Sequence, residues 1–499
     1  MNTTHAIILG GILKDLAGRP LGPYRLRSAC ATNGFNAHVI DYAWALTSDE
    51  LLTIIESLVS EKTLVLGISN VWFSRSNQTF NDTTNAWFCD EFFDEFTRRW
   101  PHIEIVIGGS KPTLVQGAHV LKKKAKWWLT GFADIGFVKL LEKLSGKNNE
   151  FFYTIDGDGT KVCDCNQHYR VQNMDELETV YHVEDKFHAH QPLSLEVSRG
   201  CIFKCAFCSH PFLGKKSYDY IRSAESIASE LKRNYDLFGT TRYQITDDTF
   251  NDSLEKLERV ERAIDLSGIP NFEFVGYIRS ELLVTTPAMI PALARLNCRG
   301  GFIGVESMGK KARLAIGKGM DFNRVADALA NFKANSRVKL HAGMIVGLPH
   351  DTLEDCESYA ARLKTDGIFS NWRFQALGLV HDQDRNGLSL FEQQPEKYGY
   401  TITKWRIDDG KEWTCGWENA MGVHSRSAEE TANKINDIDE TTKTAGGFSV
   451  GEMWFHGYSD SEIDNLPILT SKLGRTALTT GLARKEVELE IARSRLKVQ

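Results

Sequence analysis

Residues 195–211 read L-E-V-S-R-G-C-I-F-K-C-A-F-C-S-H-P, and this stretch organises the chain around it. Apolar and polar residues alternate from Leu195 to Ser198, as in a β-strand, and Gly200 follows. Cys201, Cys205 and Cys208 then stand in C-x-x-x-C-x-x-C spacing. Three thiolates on one short loop can hold three corners of a metal cluster. Iron–sulfur clusters are held by cysteine thiolates, normally four, so three ligands leave one iron open. From the residues alone zinc is the alternative, with His210 as a fourth ligand. Three unrelated buried cysteines account poorly for spacing this close.

Outward from the loop, strand and helix patterns alternate between about Leu193 and Val380. The candidate strands are LSLEVS, RYQIT, FEFVGY, GGFIGV, KLHAGMIVG and NWRFQALGLV. Helical patterns separate them at Ala224 to Phe238, Leu254 to Leu266, Pro287 to Leu296 and Phe322 to Asn335. Six βα units predict a partial (β/α)6 TIM-like barrel over 191–380, with the chemistry at the carboxyl ends of its strands. Spacing alone leaves a second open sheet as the alternative.

A first alternating series occupies residues 1–145. Its apolar runs start at His5, Ala37, Leu64, Ile103 and Lys126. Helices are expected over Gly22 to Asn33, Ser48 to Ser60, Ala86 to Arg99 and Phe137 to Leu144. This predicts a Rossmann-like parallel sheet with helices on both faces. Residues 146–190 read as a linker with a hairpin at Asp156-Gly157-Asp158-Gly159. Residues 381–499 form a mixed, aromatic-rich C-terminal region with Trp405, Trp413, Trp417, Trp454 and Phe455. That region ends in an exposed helix from Ala483 to Val498.

The 499 residues carry 42% hydrophobic and 25% charged residues, ordinary for a globular protein. The net charge of −6 argues against bulk nucleic-acid binding, although a local basic channel is compatible with it. The N-terminus lacks the pattern of a secretory signal, and no apolar run reaches transmembrane length. A cytoplasmic protein without membrane partners is expected. Its ten cysteines do not read as a disulfide framework.

The central segment resembles the radical S-adenosylmethionine (SAM) enzymes, whose hallmark is this cysteine spacing with an aromatic before the last cysteine. Phe207 fills that position. Glu196-Val197-Ser198-Arg199-Gly200 resembles the usual lead-in. Asp247-Asp248-Thr249-Phe250 resembles a DD-x-F element, and Gly304-Val305-Glu306-Ser307 a G-x-E-S element. Ile345-Val346-Gly347-Leu348-Pro349 resembles I-x-G-L-P. The resemblance implies a [4Fe–4S] cluster on Cys201, Cys205 and Cys208, SAM on the open iron, and a 5′-deoxyadenosyl radical after one-electron cleavage. It also implies SAM contacts at Phe207, Asp247, Asp248, Arg279, Glu306, Ser307, Ile345 and Gly347. For Asp247 and Asp248 a helix N-cap weighs equally. Arg279 suits the methionyl carboxylate, or an ion pair with Glu273 or Glu281. Where some relatives carry a glutamate after the fifth strand, this chain has His350.

Residues 1–145 resemble the cobalamin-binding domain that precedes the radical core in one large branch. Leu21-Gly22-Pro23, Gly67-Ile68-Ser69 and Gly108-Gly109 carry the likeness, with Ser69, Gly108 and Gly109 as cobalamin contacts. The D-x-H-x-x-G motif that supplies a lower cobalt ligand is absent; the loop reads GGILKDLAGRP. Cobalamin binding would imply methyl transfer to a small-molecule or peptide substrate. A flavodoxin or ferredoxin would serve as electron donor. The alternatives are a radical SAM enzyme without cobalamin (oxidation, cyclisation or methylthiolation), or an iron–sulfur electron-transfer module. Cys163-x-Cys165 with His168 reads as a hairpin with incidental cysteines. The run Lys122, Lys123, Lys124 and Lys126 reads as a solvated face.

Overall fold

The computed structural model describes residues 3–10, 18–69, 90–109, 124–187, 190–208, 220–379, 389–408, 413–438, 449–466 and 476–497. The chain forms two compact units. One comprises Met1–Lys14, Arg19–Tyr181 and Ala477–Gln499, the other Asp15–Gly18 and His182–Thr476.

The first unit is built on a seven-stranded sheet. In chain order its strands are β1 (Ala6–Leu9), β2 (Ala37–Ile40), β3 (Val65–Ser69), β4 (Glu104–Gly109), β5 (Trp127–Thr130), β6 (Thr154–Ile155) and β7 (Lys161–Asp164). Their spatial order is β2-β1-β3-β4-β5-β7-β6. All pairs are parallel except the β6–β7 hairpin. The order reverses between β1 and β3, which makes a crevice at their carboxyl ends, the usual ligand position in such sheets. The helix Ser48–Leu58 follows a capping box at Thr47 and Glu50, the acidic first turn read from the sequence.

Two boundaries differ from the sequence reading. The stretch 146–190 does more than link: its hairpin extends the first sheet, because β7 pairs with β5 from Trp127–Lys161 to Thr130–Asp164. The terminal helix, Thr476–Leu496, belongs to the first unit rather than to a separate C-terminal region. Leu489 and Ala492 on it are buried, and Lys485 pairs with Glu50 at 2.7 Å. Its alternating charges hid an apolar stripe.

The second unit carries β8 (Leu193–Leu195), β9 (Arg242–Ile245), β10 (Glu273–Ile278), β11 (Cys298–Glu306), β12 (Lys339–Val346) and β13 (Asn371–Ala376). They are parallel, and their spatial order follows chain order without reversal. A strictly sequential order is that of a barrel, not of a doubly wound sheet. The helices Ala224–Phe238 and Leu254–Ser267 start at capping serines, Ser223 and Ser253, and stop at left-handed Gly239 and Gly268.

The aromatic C-terminal region contributes an antiparallel hairpin, β14 (Tyr400–Asp408) and β15 (Trp413–Asn419), and the helices Ser425–Ile438, Ser449–Phe455 and Asp460–Asn465. Val450, Met453 and Trp454 pack on Val275, Ile463 and Phe302. Close packing of Val450 over Gly300 places this helix against β11. Arg299, Arg242 and Arg337 then tie the next helix down through Asp460 and Asp464. Trp454 is fully buried. Trp454→Ala should therefore destabilise the second unit by about 3–5 kcal/mol in urea unfolding, the cost of a large aromatic cavity.

Candidate functional site

The three cysteines sit on the loop after β8, and all three are half-buried. Their loop is fixed from several sides. Ala206 N–H donates to the Ile316 carbonyl (3.1 Å), and Phe391 N–H donates to the Ala206 carbonyl (3.1 Å). Cys208 N–H turns back to the Cys205 carbonyl (3.0 Å). Gly200 adopts φ +82°, a left-handed turn that lets the strand fold over into the loop. Cys201 Sγ faces Thr249 Oγ1 at 3.4 Å, and Cys205 Sγ faces Arg279 Nη1 at 3.4 Å. Among the described residues no three His, Cys, Asp or Glu side chains converge on a single ion position. Thiols spread along one loop suit the separate corners of a cluster.

Asp247, expected as a SAM contact or an N-cap, is engaged by the strand end before the cysteine loop. Its Oδ1 accepts from Val197 N–H (2.8 Å), and its Oδ2 accepts from Ser198 N–H (3.0 Å) and Ser198 Oγ (2.8 Å). Lys256 Nζ completes the set at 2.6 Å from Oδ2. The same ammonium donates to Ser198 Oγ (2.6 Å) and to the Thr249 carbonyl (3.0 Å). Both side chains are fully excluded from water. The carboxylate therefore holds the strand end that launches the cysteine loop. Asp248, its neighbour, is half-buried at the end of β9, and its negative charge adds to burial in raising the Tyr277 hydroxyl pKa.

Ser307 and Gly347 also have partners within the fold. Ser307 is buried, and its Oγ accepts from Gly309 N–H (2.9 Å). It also bonds Asp351, whose Oδ1 accepts from Tyr359 Oη (2.9 Å). Gly347 has φ +100°, and a Cβ there would collide with the Trp417 indole. Its carbonyl accepts from Tyr400 Oη (2.8 Å). The hairpin packed on this position requires glycine.

Glu306 ends β11 at a bulge, with φ +64°. Burial raises its carboxyl pKa, while Lys318, 3.5 Å away, opposes that shift. Ile345 is half-buried on β12, and Phe207 is half-buried beside Cys208. His350 is exposed with φ +70°. Arg279 pairs with Glu281 (3.5 Å), not with Glu273, which is taken by Arg242 (3.2 Å) and Arg299 (3.6 Å). Lys256, Thr249 and Asn251 were not singled out in the sequence. They lie on or beside a capped helix start that gives no sign of facing inward.

In the first unit, Ser69 and Gly108 are register partners at the ends of β3 and β4, and Gly109 follows. A Cβ on Gly108 would meet only Leu129, at ordinary contact distances of 3.6 and 3.9 Å. Among the described residues nothing imposes glycine there. Loop residues 11–17, His210, Lys122 and Lys123 lie outside the described residues. Lys124 and Lys126 pair with Asp94 and Glu104, both at 2.9 Å. Cys163 and Cys165 are buried with sulfurs 4.0 Å apart, and His168 stacks on Phe152 instead of joining them. The neighbouring Cys163 thiol and burial push the Cys165 pKa up.

Residues 195–363 match the family model described as the radical SAM superfamily. An uncharacterized methyltransferase of Pyrococcus horikoshii is 29% identical over 178 residues. That match takes in 34% of this chain and only 36% of the relative's length. Among solved structures, the radical SAM methyltransferase TsrM of Kitasatospora setae, with cobalamin and a [4Fe–4S] cluster bound, superposes with TM-score 0.64 at 12% identity. The superposition covers 99% of this chain and 100% of that one. The cobalamin-dependent SAM radical enzyme OxsB, with aqua-cobalamin and SAM bound, gives TM-score 0.57 at 14% identity, over 97% of this chain and 72% of that one. These likenesses show a shared fold across both units. Among the described residues no helix is long and apolar enough to cross a membrane.

Two variants test the buried polar groups. Lys256→Met leaves the Asp247 carboxylate buried without its cation, which should cost about 3–5 kcal/mol in chemical unfolding. Burial raises the Asp351 pKa to about 6, against the bonds from Ser307 and Tyr359. The folded state therefore holds this proton more tightly than the unfolded chain does. The stability that results is fully present below about pH 4 and is lost as pH rises through 6. Asp351→Asn should remove that loss and gain on the order of 2–3 kcal/mol over wild type between pH 4 and 7.5 in urea titrations.

Proposed function

We propose that this chain, a member of the radical SAM superfamily, is a cobalamin-binding radical SAM methyltransferase acting on a small molecule. The observation that carries the reading is the match to TsrM, which runs through both units over 99% of the chain. The curated relative's description as a methyltransferase points the same way. TsrM has also been solved with tryptophan as substrate and a SAM analogue bound, which favours a small substrate here.

The residues fit these groups. Cys201, Cys205 and Cys208 would hold the cluster, and their loop is fixed before the cluster arrives by Asp247 and Lys256. When bound, the cluster and cobalamin would supply the electron transfer and the methyl carrier that no side chain can provide. Ser69, Gly108 and Gly109 would let the cobalamin approach backbone at the carboxyl edge of the first sheet. Asp248, Glu306 and Ile345 line the carboxyl ends of the barrel strands, where SAM would lie. Phe207 and Arg279 stand on the cysteine side of it. A low-potential one-electron donor is required.

The test is anaerobic reconstitution of the full chain with iron and sulfide, followed by reductant and SAM, with and without cobalamin and a panel of small aromatic acceptors. S-adenosylhomocysteine and methylated product formed only with cobalamin would uphold the reading. 5′-Deoxyadenosine with or without cobalamin, and no methyl transfer, would favour a radical enzyme that does not use cobalamin. Gly108→Val should weaken cobalamin binding at least tenfold by equilibrium dialysis, with folding stability changed by no more than about 0.5 kcal/mol.

A further inference from the structure

We propose that Arg279 raises the reduction potential of the cluster held by Cys201, Cys205 and Cys208, through a charged hydrogen bond to the Cys205 sulfur. The inference rests on the cluster assignment above. Arg279 Nη1 lies 3.4 Å from Cys205 Sγ, within the range of an N–H···S bond. The rest of the residue is locked. Its backbone N–H donates to Asn251 Oδ1 (2.7 Å), and its carbonyl accepts from Asn251 Nδ2 (3.1 Å). The guanidinium stacks on Phe203, with Cζ 3.9 Å from the ring centroid, and Phe203 is itself part of the cysteine loop. Nε faces Glu281 at 3.5 Å.

The charge balance around this group is positive. Glu281 is shared with the buried Arg313, which donates to it at 2.7 Å. Lys318 and Glu306 face the same group, 3.5 Å from each other, so three cations stand against two carboxylates and the net charge is +1. The Arg279 side chain is only 11% exposed, so water screens that charge little. Thr249, beside Cys201, is neutral, and its hydroxyl also lies 2.9 Å from the Asp248 carbonyl.

One-electron reduction adds a negative charge to the cluster. A fixed cation and an N–H at a ligand sulfur stabilise that added charge, so the reduced form is favoured and the potential rises. The electron comes from a low-potential one-electron donor. Arg279 thus acts through Cys205 as a positioning residue.

The experiment compares full-length wild type with Arg279→Lys, Arg279→Gln and Arg279→Met, each reconstituted and analysed for iron and sulfide. Mediated dithionite titrations read the reduced cluster by electron paramagnetic resonance. At equal cluster content and at the wild-type midpoint, the reduced-to-oxidised ratio should fall about tenfold in the Gln and Met variants. For a one-electron couple that equals a 59 mV shift. The Lys variant should lie between. A loaded Gln variant with the wild-type midpoint overturns the proposal, even where its SAM affinity drops, because Arg279 would then be a carboxylate ligand only. If Gln and Met variants take up no cluster, the Lys variant decides: a lowered midpoint upholds the proposal and an unchanged one overturns it. Absence of methyl transfer with a wild-type cluster in place refutes the proposed function and leaves the midpoint comparison intact. A wild-type chain that takes up no cluster overturns both.

Discussion

The buried pair of Asp247 and Lys256 is the constraint on which the site depends. Neither charge reaches water, so each must be satisfied inside. The satisfaction comes from three segments at once: the end of β8, the end of β9 and the start of the helix Leu254–Ser267. Val197 and Ser198 give their amides to the carboxylate, and Thr249 gives its carbonyl to the ammonium. An isolated ion pair at this depth would be a poor source of stability. Its use is geometric, because these bonds tie the ends of both strands to the helix start. Cys201 begins three residues beyond Ser198, so the direction in which the thiols leave the sheet is set there.

The same logic explains which parts of the site were legible in the sequence. The cysteines were, because ligand spacing on one loop is a local property. The six strands of the barrel were, because apolar runs and their capped helices are also local. The division between a barrel and an open sheet was not, since it lies in the pairing order rather than in any single strand. The role of Asp247 was not legible either. Its partners Val197 and Ser198 are fifty and forty-nine positions away, and an acidic pair after a strand reads equally as a cap or as a cofactor contact. The terminal helix misled in a different way. Charges alternating along 483–498 suggested solvent on all sides, while Leu489 and Ala492 kept a narrow apolar stripe for the first unit.

Arginines illustrate how one residue type divides between roles. Arg313 is buried, and its Nε and Nη1 bond carbonyls at Met320, Val305 and Ser307; it shapes the turn after β11. Arg299 sits at the other end of β11 and ties down the helix Asp460–Asn465. Arg279 differs from both, because its fork points at a thiol. The Asn251 clamp leaves it little freedom to turn elsewhere. Its expected role at a methionyl carboxylate came from the general affinity of guanidinium for planar anions.

Glycines at strand ends carry the final distinction. Gly347 follows β12 and Gly108 lies near the end of β4; the first was expected to contact SAM and the second cobalamin. The decisive question is what a Cβ would meet. At Gly347 it would strike Trp417, and the backbone is left-handed, so the fold alone demands glycine. At Gly108 it would meet only Leu129 at ordinary contact distance, in a backbone that any residue can adopt. A glycine that the surrounding protein does not require is one whose missing side chain leaves space for something else. That asymmetry marks Gly347 as a packing glycine and leaves Gly108 open to the cobalamin role proposed for it. Ser69 and Gly108, the proposed contacts, stand side by side at the carboxyl edge of β3 and β4.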